Sequence, residues 1–413
     1  MKRSTCFISS VIATAILFTT NSTHAQLLKR LKQTVQDHVE NRAVERTGQA
    51  TDKAMDKTET AAKGGNASNR STDSNSPASS SGSAAASTGN NNVPSMKSYQ
   101  NYDFVPGDKI IFQSNLVDEQ TGEIPSQFTL IEGQADVQVV DGENVIHINK
   151  GPTTTFTPRM TNQQYMPEQF TVEFDFKNES MGVGHINVDF GHRVYYSGGE
   201  GIIPGIRFDQ DNGLNWTLGD VNYPEGLEVS YRRPNVWHHI AIAINKNVGK
   251  VYIDQYRVAN VNNLEGKANN VTFNVNGYEN SFIKNVRVAA GGIDIYKQAT
   301  TDAKIVTHGI LFDVDKATIK PESMGTLNQI FNVLQKNPSL KYEIDGHTDN
   351  TGTPAHNLTL SQQRADAVKT QLVSMGVDVS RLTTNGFGDT KPIDKNDTPE
   401  GKANNRRVEF VKM

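Results

Sequence analysis

The sequence predicts two folded regions of different class, an all-β region followed by an α+β region. In the first, runs of alternating apolar and polar residues are separated by turn dipeptides, whereas in the second, apolar residues recur at helical spacing between short strands. The 413 residues suffice for both, because a domain typically takes about 100–200 residues. Apolar residues are 36% of the chain, a low share that indicates a segment outside any core.

The charge balance argues against one class of partner. The 41 Lys and Arg residues face 45 Asp and Glu residues, which gives a formal net charge of −4. Neutralising phosphates requires a basic excess, so no nucleic-acid partner is expected.

The first 98 residues are predicted to be a leader, a helix and a linker. A basic start, an apolar stretch and a small-residue exit at Ala25 are typical of a secretory signal peptide over 1–25, with an uncleaved anchor helix as the alternative. The single cysteine, Cys6, lies inside it, so no disulfide is expected in the mature chain. Apolar spacing predicts an amphipathic or frayed helix over 26–60, and low complexity predicts a flexible linker over 61–98.

Residues 99–297 are predicted to form a β-sandwich. Between Phe170 and Lys177, apolar residues alternate with polar ones, the pattern of a half-buried strand. Turn signals such as Asp141-Gly142 recur between such runs. Several short strands joined by tight turns favour a sandwich of two antiparallel sheets.

One hairpin of this region resembles a known superfamily. The stretch 237–242 followed by 249–254 is similar to the hairpin of concanavalin A-like or laminin G-like jelly rolls. Because many members bind glycans, the resemblance makes Trp216, Tyr195 and Tyr196 candidates for a sugar platform, and core or rim aromatics are the alternative. No site is assigned there, and a glycan or an envelope protein is the expected partner.

An enzymatic alternative arises in the same region. Glu173, Asp175 and Glu179 superficially resemble the acidic strand motif of concanavalin A-like β-glucanases. A retaining pair holds its carboxyl groups about 5–5.5 Å apart, whereas six residues of strand separate Glu173 from Glu179 by about 20 Å. We therefore interpret the three as solvent-facing charges, and an envelope glycan hydrolase stays the alternative function.

Residues 304–413 are predicted to form a compact α+β layer. The expected strands are 309–313, 340–344, 382–385 and 407–412. The expected helices run from Pro321 to Asn337 and from Thr359, where Gln362 completes a capping box, to Gly376. The order βαβαββ predicts helices on a mixed sheet.

Several motifs of this region occur together at consistent spacing. They are Phe312-Asp313, 346–352 (GHTDNTG), 357–365 (NLTLSQQRA), Gly386-Phe387-Gly388 and 404–409 (NNRRVE). In this order they resemble the OmpA-like C-terminal domain, the peptidoglycan-binding module of Gram-negative envelopes. The resemblance spans essentially all of 304–413 and implies a non-catalytic envelope protein.

Two charged residues are the expected ligand contacts. Asp349 at a strand exit and Arg364 in the first helical turns can converge beside a helix N-terminus, which suits a zwitterion. The resemblance implies that Asp349 binds the ammonium and Arg364 the carboxylate of diaminopimelate in the peptidoglycan stem peptide. It also implies that Asn357, Leu360 and Ser361 line the pocket. A structural ion pair between Asp349 and Arg364 is the alternative.

The remaining polar residues are given other roles. Asn405 and Arg406 are expected to support the loop after Gly388. His347 with one carboxylate does not complete a metal ligand set, and no nucleophile stands beside a base. The sequence therefore predicts no catalytic residue, metal or cofactor. The expected location is the periplasm, associated with peptidoglycan and the outer membrane.

Overall fold

The protein is described by a computed structural model that covers residues 96–179, 184–191, 202–209, 213–216, 219–224, 226–227, 231–276, 280–292 and 294–413. The predicted signal peptide, the predicted helix over 26–60 and nearly all of the predicted linker lie outside the described residues, as do Tyr195 and Tyr196. The described residues belong to one compact unit.

The β region contains two antiparallel sheets. Its strands are β1 Lys109–Gln113, β2 Phe128–Glu132, β3 Ala135–Val140, β4 Glu143–Ile148, β5 Thr154–Pro158, β6 Gln169–Asn178, β7 His185–Asp189, β8 Ile206–Asp209, β9 Gly213–Trp216, β10 Gly219–Val221, β11 His238–Asn245, β12 Val248–Ile253, β13 Tyr256–Asn262, β14 Thr272–Val275 and β15 Ser281–Ala290. One sheet has the order β13-β12-β11-β6-β15-β4-β3, with β1 paired to β15, and the other has the order β10-β9-β8-β7-β14-β5-β2.

The two sheets share one hydrophobic core. Phe174 on β6 and Phe273 on β14 are fully buried, with ring centroids 5.2 Å apart. The predicted turn at Asp141 and Gly142 joins β3 to β4, and both residues have positive φ, as a two-residue type I′ turn requires. The region is largely β, and its concanavalin A-like jelly-roll assignment stays a prediction.

The C-terminal region follows a short helix. This helix, α1, spans Ile295–Thr301 and buries Ile295 and Ala299. The elements after it are β16 Lys304–Thr307, α2 Met324–Lys336, β17 Tyr342–His347, α3 Pro354–Ser374, β18 Leu382–Gly388, α4 Pro399–Asn405 and β19 Val408–Lys412. The sheet order is β16-β19-β17-β18, and only β17 and β18 run parallel within it. The predicted mixed sheet is thus present.

Two local predictions for this region are wrong, and two of its helices had no predicted counterpart. The first strand is β16, and 309–313 instead enters a hairpin in which Phe312 bridges Ile319. Helix α3 begins at Pro354, where Thr353 accepts a hydrogen bond from the His356 amide at 3.3 Å, so Thr359 lies inside the helix rather than at its start. Helices α1 and α4 were not predicted.

The outer face of the first sheet is covered. The expectation that the charged side chains of β6 face solvent is therefore wrong at the centre of that strand. Glu173 is 4% exposed, because residues before β1 and the C-terminal region pack over this face. Gly107 donates its amide to Thr171 Oγ1 at 3.0 Å, and Tyr102 packs on Tyr252 with centroids 5.4 Å apart. Hydrogen bonds also connect the β region to the C-terminal region.

Trp216 does not form a sugar platform. Its side chain is buried in the core, and Nε1 donates to the Pro204 carbonyl at 3.1 Å. Among helices of the described part of the chain, none has the length and apolar character needed to cross a membrane.

Candidate functional site

Asp349 lies in the loop between β17 and α3, at the end of the sheet. The Thr353-Pro354 pair sets the start of α3, since threonine caps the helix and proline suits its first turn. Asp349 is 7% exposed. Its Oδ1 accepts the Thr351 amide at 2.8 Å, and its Oδ2 accepts a charged hydrogen bond from Arg406 Nη1. The loop therefore holds one buried, oriented carboxylate.

The charge of Asp349 is stabilised by these donors. Burial by itself raises the pKa of Asp349, but the hydrogen bonds from Arg406 and Thr351 outweigh it and lower the pKa below its ordinary value. Asp349 is consequently ionised at neutral pH and can accept a cationic group.

Arg364, on α3, is fixed by a different set of contacts. Its Nε donates to the Lys316 carbonyl at 2.9 Å and its Nη2 to the Asp313 carbonyl at 3.4 Å. The guanidinium carbon lies 4.9 Å from the centroid of the Phe312 ring, a cation–π arrangement. Burial lowers the pKa of Arg364, and the neighbouring Arg406 lowers it further, while Asp349 partly offsets both effects.

The alternative of an Asp349–Arg364 ion pair is not what the geometry shows. Among the described residues, no ion pair joins these two side chains, and the ion-pair partner of Asp349 is Arg406. Asp349, Arg364 and Arg406 therefore share this end of the domain with Asp315, whose carboxylate also raises the pKa of Arg364. Arg364 Nη1 donates to no protein group in the described part of the chain, so it is available to an incoming acceptor.

The three residues expected to line the pocket are buried. Asn357 Nδ2 donates to the Asp349 carbonyl at 3.2 Å. Ser361 Oγ donates to the Leu358 carbonyl at 2.9 Å and accepts the Gly388 amide at 2.8 Å. Leu360 is also buried. The two polar side chains thus fix the backbone of the site, including that of Asp349.

Four consecutive polar residues before β19 each hold a different part of the molecule. Asn404 Oδ1 accepts the Ile110 amide at 2.9 Å, which ties α4 to the β region. Asn405 binds the loop after β18 through the amides of residues 393 and 394 and the carbonyl of residue 394. Arg406, expected only to support that loop, contacts Asp349 directly. Arg407 Nε donates to Glu409 at 2.7 Å.

Side chains of β17 and β19 also form a possible ligand set for a metal, which was not predicted from the sequence. Atoms of Asp345, His347 and Glu409, all buried, lie within 4.8 Å of one another. However, Arg407 and Lys304 each donate to Glu409 at 2.7 Å. Both cations pair with Glu409, so a divalent cation bound there would add positive charge beside a carboxylate that already has two basic partners. The cluster fits a structural ion-pair network better than a metal centre.

Fold and site together define a class of domain. A mixed sheet and a helix start present one carboxylate and two guanidinium groups, which suits a small ligand carrying both charges. Residues 311–406 match the OmpA family. This part of the chain belongs to that family.

Two relatives and one solved structure illustrate the similarity. The probable lipoprotein YiaD of Escherichia coli is 41% identical over 120 residues, which are 29% of this chain and 55% of that protein. The peptidoglycan-binding protein ArfA of Mycobacterium tuberculosis is 44% identical over 107 residues, which are 26% of this chain and 33% of that protein. The cell wall anchor of the T6SS from Pseudomonas aeruginosa is 33% identical, with 27% of this chain and 80% of that chain covered and a TM-score of 0.25.

The similarity is confined to part of each curated protein. The chain spans 55% of the Escherichia coli relative and 33% of the mycobacterial one, less than two thirds in both cases. The family match, 311–406, lies wholly in the C-terminal region.

Proposed function

We propose that this is a non-catalytic cell-envelope protein that anchors to peptidoglycan through residues 304–413, by binding the diaminopimelate of the stem peptide. Two of the similar proteins support the peptidoglycan part, since one is named a peptidoglycan-binding protein and the other a cell wall anchor. Location in the periplasm next to the outer membrane, reached by a signal peptide over 1–25, belongs to the same proposal.

The observation that carries the proposal is the arrangement around Asp349. An ionised carboxylate and the free Nη1 of Arg364 are the complement of an amino-acid end, which carries an ammonium and a carboxylate. Arg364 suits the carboxylate because Nη1 and the second N–H of Nη2 lie in one plane and can donate two parallel hydrogen bonds. Asn357, Leu360 and Ser361 form the wall of the site. Asn405 holds the loop after β18, and Arg406 holds the Asp349 side chain.

The β region is proposed to interact with a glycan or an envelope protein. The alternative, a glycan hydrolase, gains nothing from the structure, because Glu173 is buried beneath Arg287 and the covering C-terminal region. A reducing-sugar assay on a β-glucan panel distinguishes the two functions. Turnover that Glu173→Gln abolishes would favour the hydrolase.

The binding site is tested by co-sedimentation of the full chain with isolated sacculi. Asp349→Ala and Arg364→Ala should each lose about 2–5 kcal/mol of binding free energy, because the partner charge is left unpaired. Arg364→Lys should restore binding only in part, since a point charge cannot make the two-pronged contact. If both alanine variants sediment like the parent, the site assignment is wrong.

The control variant is Lys369→Ala, on the same helix but five residues beyond Arg364, and it should bind normally. Arg381 is a poor control, although it lies outside the motifs. Its guanidinium donates to the carbonyls of Leu334, Asn337 and Leu340, so removing it would destabilise the domain.

A further inference from the structure

Phe312 contacts both the proposed ligand site and the boundary between the two regions. The guanidinium of Arg364 lies over its ring, 4.9 Å from the centroid. The same side chain lines a cavity of about 150 Å³ between the C-terminal region and the outer face of the first sheet. Phe312 therefore lies between Arg364, a residue proposed to bind ligand, and a cavity whose opposite wall belongs to the β region.

The wall that the β region contributes to this cavity is charged and fixed. Arg287 Nε donates to Glu173 Oε1 at 2.9 Å, and His239 Nδ1 lies 2.8 Å from Asp175 Oδ1. Burial by itself lowers the pKa of His239, but the hydrogen bond to Asp175 and the Glu173 carboxylate, 3.6 Å from Nε2, outweigh it and raise the pKa above its ordinary value. Alternating charges on three adjacent strands, β11, β6 and β15, hold each other in place. This wall has little freedom to move, because each buried charge needs its partner.

The wall also reaches directly into the C-terminal region. Arg287 Nη1 donates to the carbonyl of His308 at 3.3 Å. His308 precedes the hairpin over 311–320, which is closed by hydrogen bonds from Lys320 N to the Leu311 carbonyl at 2.8 Å and from Asp313 N to the Thr318 carbonyl at 3.1 Å. The hairpin is thus anchored at its base by the β region.

Within the described part of the chain, the hydrogen bonds and the ring contact that orient Arg364 come from this hairpin. The Lys316 and Asp313 carbonyls accept from its Nε and Nη2, and Phe312 provides the ring beneath the guanidinium. A long side chain that is ordered before binding does not lose that freedom when the ligand arrives. The position of the hairpin therefore determines how ready Arg364 is for a carboxylate.

We infer that Phe312 is a positioning residue for Arg364, and that the β region takes part in peptidoglycan binding by holding Phe312 and its hairpin in place. The inference rests on the proposed function. It assigns the β region a role in the affinity of the C-terminal site, separate from any partner of its own.

The test compares two ligands on the full chain by calorimetric titration. One is a stem peptide with free diaminopimelate, and the other is the same peptide with the carboxylate of that amino-acid end amidated. Phe312→Leu should weaken binding of the free-carboxylate peptide about five- to tenfold, the equivalent of one desolvated cation–π contact, and leave the amidated peptide nearly unchanged. Phe331→Leu is the matched control, since Phe331 packs on the same core away from Arg364, and both peptides should bind it like the parent.

The role of the β region is tested with Asp175→Asn, which removes the charge partner of His239. The preference for the free carboxylate should fall about two- to threefold, less than in Phe312→Leu because the change acts through the wall. An unchanged preference in Phe312→Leu, or an equal loss for both peptides, would overturn the positioning role. An unchanged preference in Asp175→Asn would overturn the role of the β region.

Failure of the underlying proposal gives a different result. If the parent has no preference for the free carboxylate, or if Arg364→Ala keeps it, then the proposed function is wrong. If Arg364→Ala loses the preference while Phe312→Leu retains it, then only the present inference is wrong.

Discussion

Two carboxylate–arginine pairs in this molecule use the same chemistry in opposite surroundings. In the pair between Glu173 and Arg287, at the boundary of the two regions, the side chains are 5% and 8% exposed. In the pair between Asp349 and Arg406, at the end of the C-terminal sheet, the aspartate side chain is 9% exposed but the arginine side chain is 42% exposed. The first pair is closed and has a structural role. The second is open on one side, so Asp349 can share its charge with a ligand.

The largest expected difference between the pairs is in stability. Arg287→Met should lower the free energy of unfolding by about 3–5 kcal/mol, because it removes the hydrogen-bonded partner of a buried carboxylate and leaves Glu173 with only the His239 ring, 3.6 Å away. Arg406→Met should cost no more than about 1 kcal/mol, since its partner keeps the Thr351 amide and water can replace a half-exposed guanidinium. Urea denaturation of both variants measures this. Equal losses would contradict the distinction between a closed and an open pair.

A second difference is expected in pH dependence at the boundary. Burial lowers the pKa of His308 to about 4, below the ordinary value of about 6.5. The folded state therefore resists protonation of His308. The stabilising contribution of the neutral His308 ring is complete above pH 6.5 and is lost as the pH falls towards 4. The free energy of unfolding of the parent should therefore fall by about 1–3 kcal/mol between these two pH values. His308→Gln should reduce the loss in denaturation curves recorded from pH 7 to pH 4, and an undiminished loss would count against it.

The smallest expected effect concerns the N-terminal caps of helices α3 and α4. Thr398 accepts the Gly401 amide at 3.0 Å at the start of α4, and Thr353 caps α3. Replacing either by alanine should cost about 1 kcal/mol. Only Thr398→Ala should speed hydrogen exchange at the Ile110 amide, because that amide binds Asn404 on α4. Equal exchange in both variants would mean that α4 does not secure the boundary.

Local sequence signals predicted the classes of the two regions but not every boundary. Two of the helix starts that were missed, at Pro354 and Pro399, follow a threonine, a cap-and-proline signal as informative as the capping box at Thr359. A capping box is a short pattern that also occurs inside helices, where the hydroxyl binds a carbonyl of the preceding turn, as Thr359 does with Ala355.

The contacts of the site needed the tertiary structure. The position of Asp349 at a strand exit was predictable, but its pairing with Arg406 joins residues 57 positions apart, and no local pattern encodes such a contact. The burial of Glu173 was unpredictable for the same reason. Alternation on β6 marks one face as apolar, and it does not reveal that another region will cover the polar face.

The central claim is that Asp349 and Arg364 bind the two charges of one amino-acid end. It is tested most directly by calorimetric titration of the full chain with two stem peptides, one with diaminopimelate and one with lysine in its place. Lysine keeps the ammonium but lacks the second carboxylate. We expect the diaminopimelate peptide to bind at least about 30-fold more tightly, the equivalent of about 2 kcal/mol. Equal affinities for the two peptides would contradict the account.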